Sequence, residues 1–290
     1  MNYVKSARSS EANLNERYFR PSPLPALNIK NFNFDFFDKY SSENYNKIIL
    51  PDWLFTSPED TIINYFSILR EAEDISTGGC GTIGLVKIPY PISYNFFTSK
   101  YQSNVDYKTY LNFFKDIGHI NLIKLNNVTD ETTPKGTYKY FIEIETIEPS
   151  MKGNTSFAYY YGFVYIEKEN EKYKISNIDL RGEDFLCAAY HGWRHNAEFY
   201  VDIVYGDWCK LLKKRYPTEQ NGYIKNIYIT GNDGHEYKFQ FFQLTNGTDI
   251  EIHQFIKDTN NEWKAITIDV DKCIHRWRCP YSLFPMYFML

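Results

Sequence analysis

Twice along this chain a helical period gives way to a run of segments that alternate apolar and polar residues. In the first run these are Ile120 to Val128, Thr137 to Ile147, Phe157 to Lys168 and Lys172 to Leu180. In the second they are Tyr223 to Thr230, Glu236 to Thr245, Asp249 to Lys257 and Glu262 to Val270. A period of two sends successive side chains to opposite faces of a sheet, and turn residues in or near the gaps, such as Asn126, Asn127, Gly136, Gly153 and Asn170, make consecutive strands neighbours. Asn232, Asp233 and Gly234 form a strong hairpin signal. The fold class is therefore α+β, with helices ahead of an antiparallel meander in each half.

The helices have their own signals. Ser57 suits an N-cap, Pro58 the first helical position and Glu59 and Asp60 the first turn, and Ile62, Ile63, Phe66 and Leu69 follow at helical spacing. The pattern predicts a helix from Pro58 to about Asp74, a second from Val105 to Ile117 and a third from Asn196 to Arg215, stopping before Pro217. The two halves also match in sequence: Gly118–Leu125 against Gly222–Ile229, Thr137–Ile144 against Glu236–Gln243, and Glu171–Leu180 against Asn261–Val270. In the last pair Tyr173 and Trp263 take one slot, and Asp179 and Asp269 another. Three matches in one order point to an internal duplication.

Composition narrows the partners. The chain has 290 residues with 32 Lys and Arg against 36 Asp and Glu, a net charge of -4 spread along its length, so nucleic acid is not an expected partner. The 26 Tyr and 22 Phe fit sheets bearing large side chains. No stretch is long and apolar enough for a membrane span. Residues 1–51 read as a tether and extended arm, polar and then proline-bearing, ending in an aromatic cluster of Phe32, Phe34, Phe36, Phe37 and Tyr40. Such a tether favours an extracytoplasmic protein held by an anchor upstream of Met1 over a cytoplasmic one, though a frayed N-terminus has the same composition.

Helices followed by long strands ending in a Tyr/Trp-Lys-X-Ile-X-X-Ile-Asp segment resemble the nuclear-transport-factor-two-like fold, also called cystatin-like or ketosteroid-isomerase-like. The resemblance covers 52–184 and, in a shorter copy, 185–272. It implies two tandem cone-like units, each with a curved sheet wrapped around its helices. It implies no single activity, because that fold serves isomerases, dehydratases, transport adaptors and non-enzymatic parts of secretion machines. The segments Val204–Lys210 and Arg215–Glu219 also resemble stretches in proteins of low-GC Gram-positive bacteria.

Few side-chain groupings suggest chemistry. His191 and His195, with Glu198 and Asp202 beyond, have metal-ligand spacing if the segment is one helix, but Gly192 occupies the place of a metalloprotease glutamate. Packing or capping at the junction of the halves is the favoured reading of both histidines. Of Cys80, Cys187, Cys209, Cys273 and Cys279, no two form a Cys-X-X-Cys pair; Cys273 and Cys279 could close a small loop around His275 in an oxidising compartment. The run Gly78–Gly84 lacks a P-loop ending and reads as a link. Glu143 with Glu145, and Glu167 with Glu169, read as solvated faces of strands rather than acid–base pairs. Tyr159, Tyr160 and Tyr161 must send rings to both sheet faces, so they are candidate binding residues for a sugar or a peptide unless the arm or another domain covers them. Residues 273–290 are too apolar for water and are expected to dock on the body or on another copy.

These readings favour a non-catalytic binding or protein-interaction module, with a protein or small ligand as partner and no cofactor implied. Two alternatives stand beside it: a small-molecule enzyme of isomerase or dehydratase type with its site in the first cone, and a metal-dependent hydrolase using His191 and His195.

Overall fold

A computed structural model of the chain describes residues 22, 24–74, 85–149, 155–183 and 189–274, with only the backbone of 155, 189–191 and 274. The Gly78–Gly84 link, Cys80, Cys187, His275, Cys279, most of the N-terminal tether and the apolar run after Ile274 lie outside those residues. The chain divides into two compact units, Met1–Asp184 and Phe185–Leu290. Both combine helices with an antiparallel sheet. No helix among the described residues is long and apolar enough to cross a membrane.

In the first unit, α1 (Phe34–Asp38) lies in the arm and α2 (Pro58–Leu69) is the central helix. Ser57 caps α2: its Oγ accepts the Asp60 N–H at 3.0 Å and its hydroxyl donates to Asp60 Oδ2 at 2.9 Å. The helix stops short of Asp74 because the Glu73 and Asp74 amides turn outward to the carbonyls of Val86 and Ile117. Three short helices follow, α3 (Pro89–Tyr94), α4 (Ser99–Asn104) and α5 (Tyr107–Asn112); the helix predicted from Val105 to Ile117 is formed only as α5, and α3 and α4 precede it. The sheet is a plain meander of β1 (His119–Asn127), β2 (Thr137–Pro149), β3 (Thr155–Glu169) and β4 (Lys172–Gly182). Its helix-facing side buries Ile120, Leu122, Ile142, Ile144, Val164 and Ile175 against Tyr65, Phe66, Phe96, Phe97 and Tyr110. Rings fill the space between helices and sheet.

The opposite side of this sheet corrects one expectation. Glu143 and Glu145, read as solvated, are 0% and 1% exposed. Lys124 sits across from Glu143 on β1 and pairs with it. Glu145 accepts the Asn121 side-chain amide at 3.2 Å, the Tyr159 hydroxyl at 3.1 Å and the Ser22 N–H at 3.3 Å. The arm is likewise built into the unit. Fully buried Asn28 donates to the carbonyls of Phe66 and Ile120 and accepts from the Leu122 amide, tying the arm to α2 and β1 at once.

The second unit opens with a 3-10 segment, Ala189–His195, then α6 (Ala197–Tyr200), which runs on as a π-helix over Val201–Trp208. The predicted helix through Arg215 is not formed. Lys210 adopts a left-handed φ of 56°, and β5 (Leu212–Arg215) pairs with β7 (Ile224–Gly231). The hairpin tip supplies the reason: Asn232 donates to the carbonyls of Lys210, Leu211 and Leu212, which draws this segment to the sheet. β6 (Glu219–Asn221) also pairs with β7 (Ile224–Gly231), and β8 (Glu236–Gln243), β9 (Asp249–Lys257) and β10 (Trp263–Ile266) complete the sheet before α7 (Val270–Ile274). Ile227, Ile229, Tyr237, Phe239 and Phe241 pack on Ala197, Val201, Val204 and Tyr205. Cys273 is bonded to Cys209, 64 residues away, so a Cys273–Cys279 loop is excluded.

Candidate binding site

Trp53 of the first unit is 55% exposed. It projects from the 3-10 turn Asp52–Phe55 because the next two side chains, Leu54 and Phe55, are the ones buried in the core. The Asn64 side-chain amide donates to the Leu54 carbonyl at 3.0 Å and locks this turn to α2. Phe32 of the arm lies 6.0 Å from the Trp53 ring at an interplanar angle of 21°, and Phe36 is packed on Phe32 at 4.8 Å. Between turn, helix and arm is a cleft of about 290 Å³ lined by Lys30, Asn31, Phe32, Trp53, Thr56, Asp60 and Asn64. Its walls are fixed before any ligand arrives: the Lys30 amide donates to Ser67 Oγ at 3.3 Å, and Asp60 Oδ2 accepts the hydroxyls of Thr56 and Ser57. Ile29 and Phe34 of the arm are 69% and 64% exposed.

A second cleft of about 280 Å³ lies between Tyr45, Asn46, Tyr94, Asn95, Gln102, Asp106 and Tyr107. Most of its polar groups already serve the fold. Asn95 donates to the carbonyls of Tyr45 and Pro91, Gln102 to that of Tyr94, and Asp106 caps α5 through the Thr109 amide. Tyr45 and Tyr107 stack on each other at 4.4 Å.

The residues singled out from sequence are distributed differently. Tyr159 is buried on the face of Glu145, and Tyr160 lies on the helix side with its hydroxyl donating to Glu148 at 2.9 Å; burial and that carboxylate push the Tyr160 hydroxyl up to about 12. Tyr161 stands opposite Glu143, half-buried. His195 and Glu198 do not share a helical face, since Asn196 is an extended cap between the 3-10 segment and α6. Glu198 accepts from Thr218, and Arg215 reaches both Glu198 and Asp202. His195 Nδ1 contacts Thr248 at 3.3 Å; the His191 side chain lies outside the described residues. Among the described residues no group of three or more His, Cys, Asp or Glu stands together as a metal set.

One acidic arrangement on the helix-facing side of the second sheet was not signalled by sequence. The Tyr205 hydroxyl lies 2.8 and 3.0 Å from the two carboxyl oxygens of Glu251, and Gln254 donates to the Tyr205 oxygen at 2.9 Å. Burial pushes the Glu251 carboxyl up to about 7, against the pull of those hydrogen bonds. Two residues earlier Asp249, 4% exposed, accepts from Lys225 Nζ and the Ala197 amide. A β-bulge between Phe241 and its neighbour Gln240 brings Glu251 to the helix side, which simple alternation along β9 does not reveal. No protein-family model, no curated protein and no solved structure matches this chain.

Proposed function

We propose that the chain is a non-catalytic binding module that captures its partner at the Trp53 cleft, and that its two units are tandem members of the nuclear-transport-factor-two-like type. The observation that carries the binding reading is the contrast within the first unit: its interior is filled with rings, while Trp53 is held half-exposed beside polar side chains. The order of helices and then meander in each unit supports the tandem reading. The Cys209–Cys273 bond supports an oxidising, extracytoplasmic setting. The test is binding of the purified chain to immobilised saccharide and peptide panels, with Trp53→Ala and Tyr161→Phe as a pair of variants. Retention lost in Trp53→Ala and kept in Tyr161→Phe supports the reading; retention indifferent to Trp53, or none, overturns it.

A second reading, a small-molecule enzyme, is favoured by one observation: a carboxyl poised near neutrality beside a tyrosine hydroxyl and an amide. It places the acid–base group in the second unit, at Glu251. Turnover abolished by Glu251→Gln in a screen of carbonyl and hydroxy compounds would replace the binding-module reading.

A further inference from the structure

We propose that the Trp53 cleft is a saccharide subsite for one ring of a neutral pyranoside, a proposal that rests on the binding-module reading and names its ligand. The first argument is the shape of the aromatic surface. Phe32 lies nearly parallel to Trp53 and backs it, and the half-exposed indole presents its free surface to the cleft. A flat, polarisable ring surface takes up the axial C–H face of a pyranose, whose hydroxyls radiate in the ring plane.

The second argument is the set of polar groups around that surface. Asn64 is 3% exposed and lines the cleft; its Nδ2 is committed to the Leu54 carbonyl, and its Oδ1 has no partner within the protein. Asp60 is similar, with Oδ2 taking two hydroxyl donors and Oδ1 left over. Lys30 and Asn31 bring side-chain donors, and Asn31 a further acceptor, without intramolecular partners among the described residues. Two acceptors held on one turn of helix, facing donors from the arm, match vicinal hydroxyls, each of which donates and accepts. An unpaired acceptor such as Asn64 Oδ1, held in place by the bond its Nδ2 makes, favours a ligand that brings an O–H to it over an apolar one.

Charge and size exclude other occupants. Lys30 and Asp60 balance, so the lining selects neither an anion nor a cation. A cleft of about 290 Å³ admits a ring-sized ligand and not a helix or strand. The Tyr45–Tyr107 cleft, of similar volume, lacks this combination because most of its amides and its acid are used by the fold.

The experiment titrates the full chain with neutral mono- and disaccharides by calorimetry, beside the same chain on an immobilised peptide library. The expected result is saturable saccharide binding in the millimolar range, weakened about tenfold or more by Trp53→Ala and by Asp60→Asn with Asn31→Ala combined, and retained by Trp53→Phe. Trp53 is exposed, so its variants are expected to keep the wild-type unfolding transition, which is checked in parallel. Trp53-dependent peptide binding without saccharide binding overturns the saccharide assignment and leaves the binding-module reading standing. Saccharide binding indifferent to Trp53 overturns the subsite, and no Trp53-dependent binding in either arm overturns both.

Discussion

Glu251 shows how one carboxyl sets the pH response of a unit. Its folded pKa, about 7, lies above the ordinary carboxylate range, so between roughly pH 4.5 and 7 the folded state holds a proton that the unfolded state has lost. Stability contributed by this group is therefore fully present below its unfolded pKa and declines as pH rises through 7, by at most about 3 kcal/mol. Glu251→Gln keeps an acceptor for Tyr205 and removes the ionisation. Urea unfolding at pH 5 and pH 8 should show the variant gaining on wild type at the higher pH, and a gap that does not change with pH counts against the shift. Sequence alternation told which residues share a face but not what covers that face. Glu143 and Glu145 follow the period of two and are nonetheless buried, because Lys124, Asn121, Tyr159 and Ser22 meet them. Trp53 carries no signal in the sequence for a related reason: it belongs to a short turn with no period, and only the burial of Leu54 and Phe55 decides that it points outward.

At the scale of elements, strands were more legible than helices. Seven of the eight alternating segments of the two meanders are strands over most of their length, since a half-buried strand leaves its period in the sequence wherever its pairing falls; the eighth, Glu262–Val270, is a strand only over Trp263–Ile266, and Val270 opens α7. Helix ends depend on competing hydrogen bonds from elsewhere, as Asn232 shows in ending the third predicted helix before Leu212. The internal sequence match is only partly mirrored by the ladders. Tyr173 packs on the helix side of its sheet, whereas Trp263 lies on the far side with Tyr228 and Lys238, so two aligned aromatics serve opposite faces. The sheet itself offers a sharp test. A Cβ at Gly162 would stand 1.9 Å from the Asp179 carbonyl oxygen of the neighbouring strand, and backbone cannot yield as a side chain can. Gly162→Ala is expected to cost more than about 3 kcal/mol or to prevent folding of the first unit. Gly182→Ala, whose Cβ would meet only the Tyr160 ring at 3.8 Å, should be tolerated within about 1 kcal/mol. Equal effects of the two substitutions, measured by thermal unfolding, would contradict the pairing of β3 with β4.

For the whole molecule, the division between residues 184 and 185 makes two bodies whose stabilities are separately measurable. Alternation and caps can announce two units, but they do not say which cysteines meet, because a disulfide depends on where distant chain ends return. Cys209 follows the π-helix and Cys273 lies in α7 after the last strand, so the bond joins the two ends of the second sheet's path. Closing 64 residues removes loop entropy worth about 4 kcal/mol from the unfolded second unit, and that bond closes no loop in the first. Reduction, or the Cys209→Ser and Cys273→Ser double variant, should then lower the unfolding midpoint of the second unit and leave that of the first unmoved. Tryptophan emission separates the two: Trp53 belongs to the first unit and Trp193, Trp208, Trp263 and Trp277 to the second, so a Trp53→Phe background reports the second alone. If reduction moved both transitions together, the units would share one cooperative core and stability could not be assigned unit by unit. If it moved neither, the Cys209–Cys273 bond would be absent in solution, and with it the physical support for an oxidising setting.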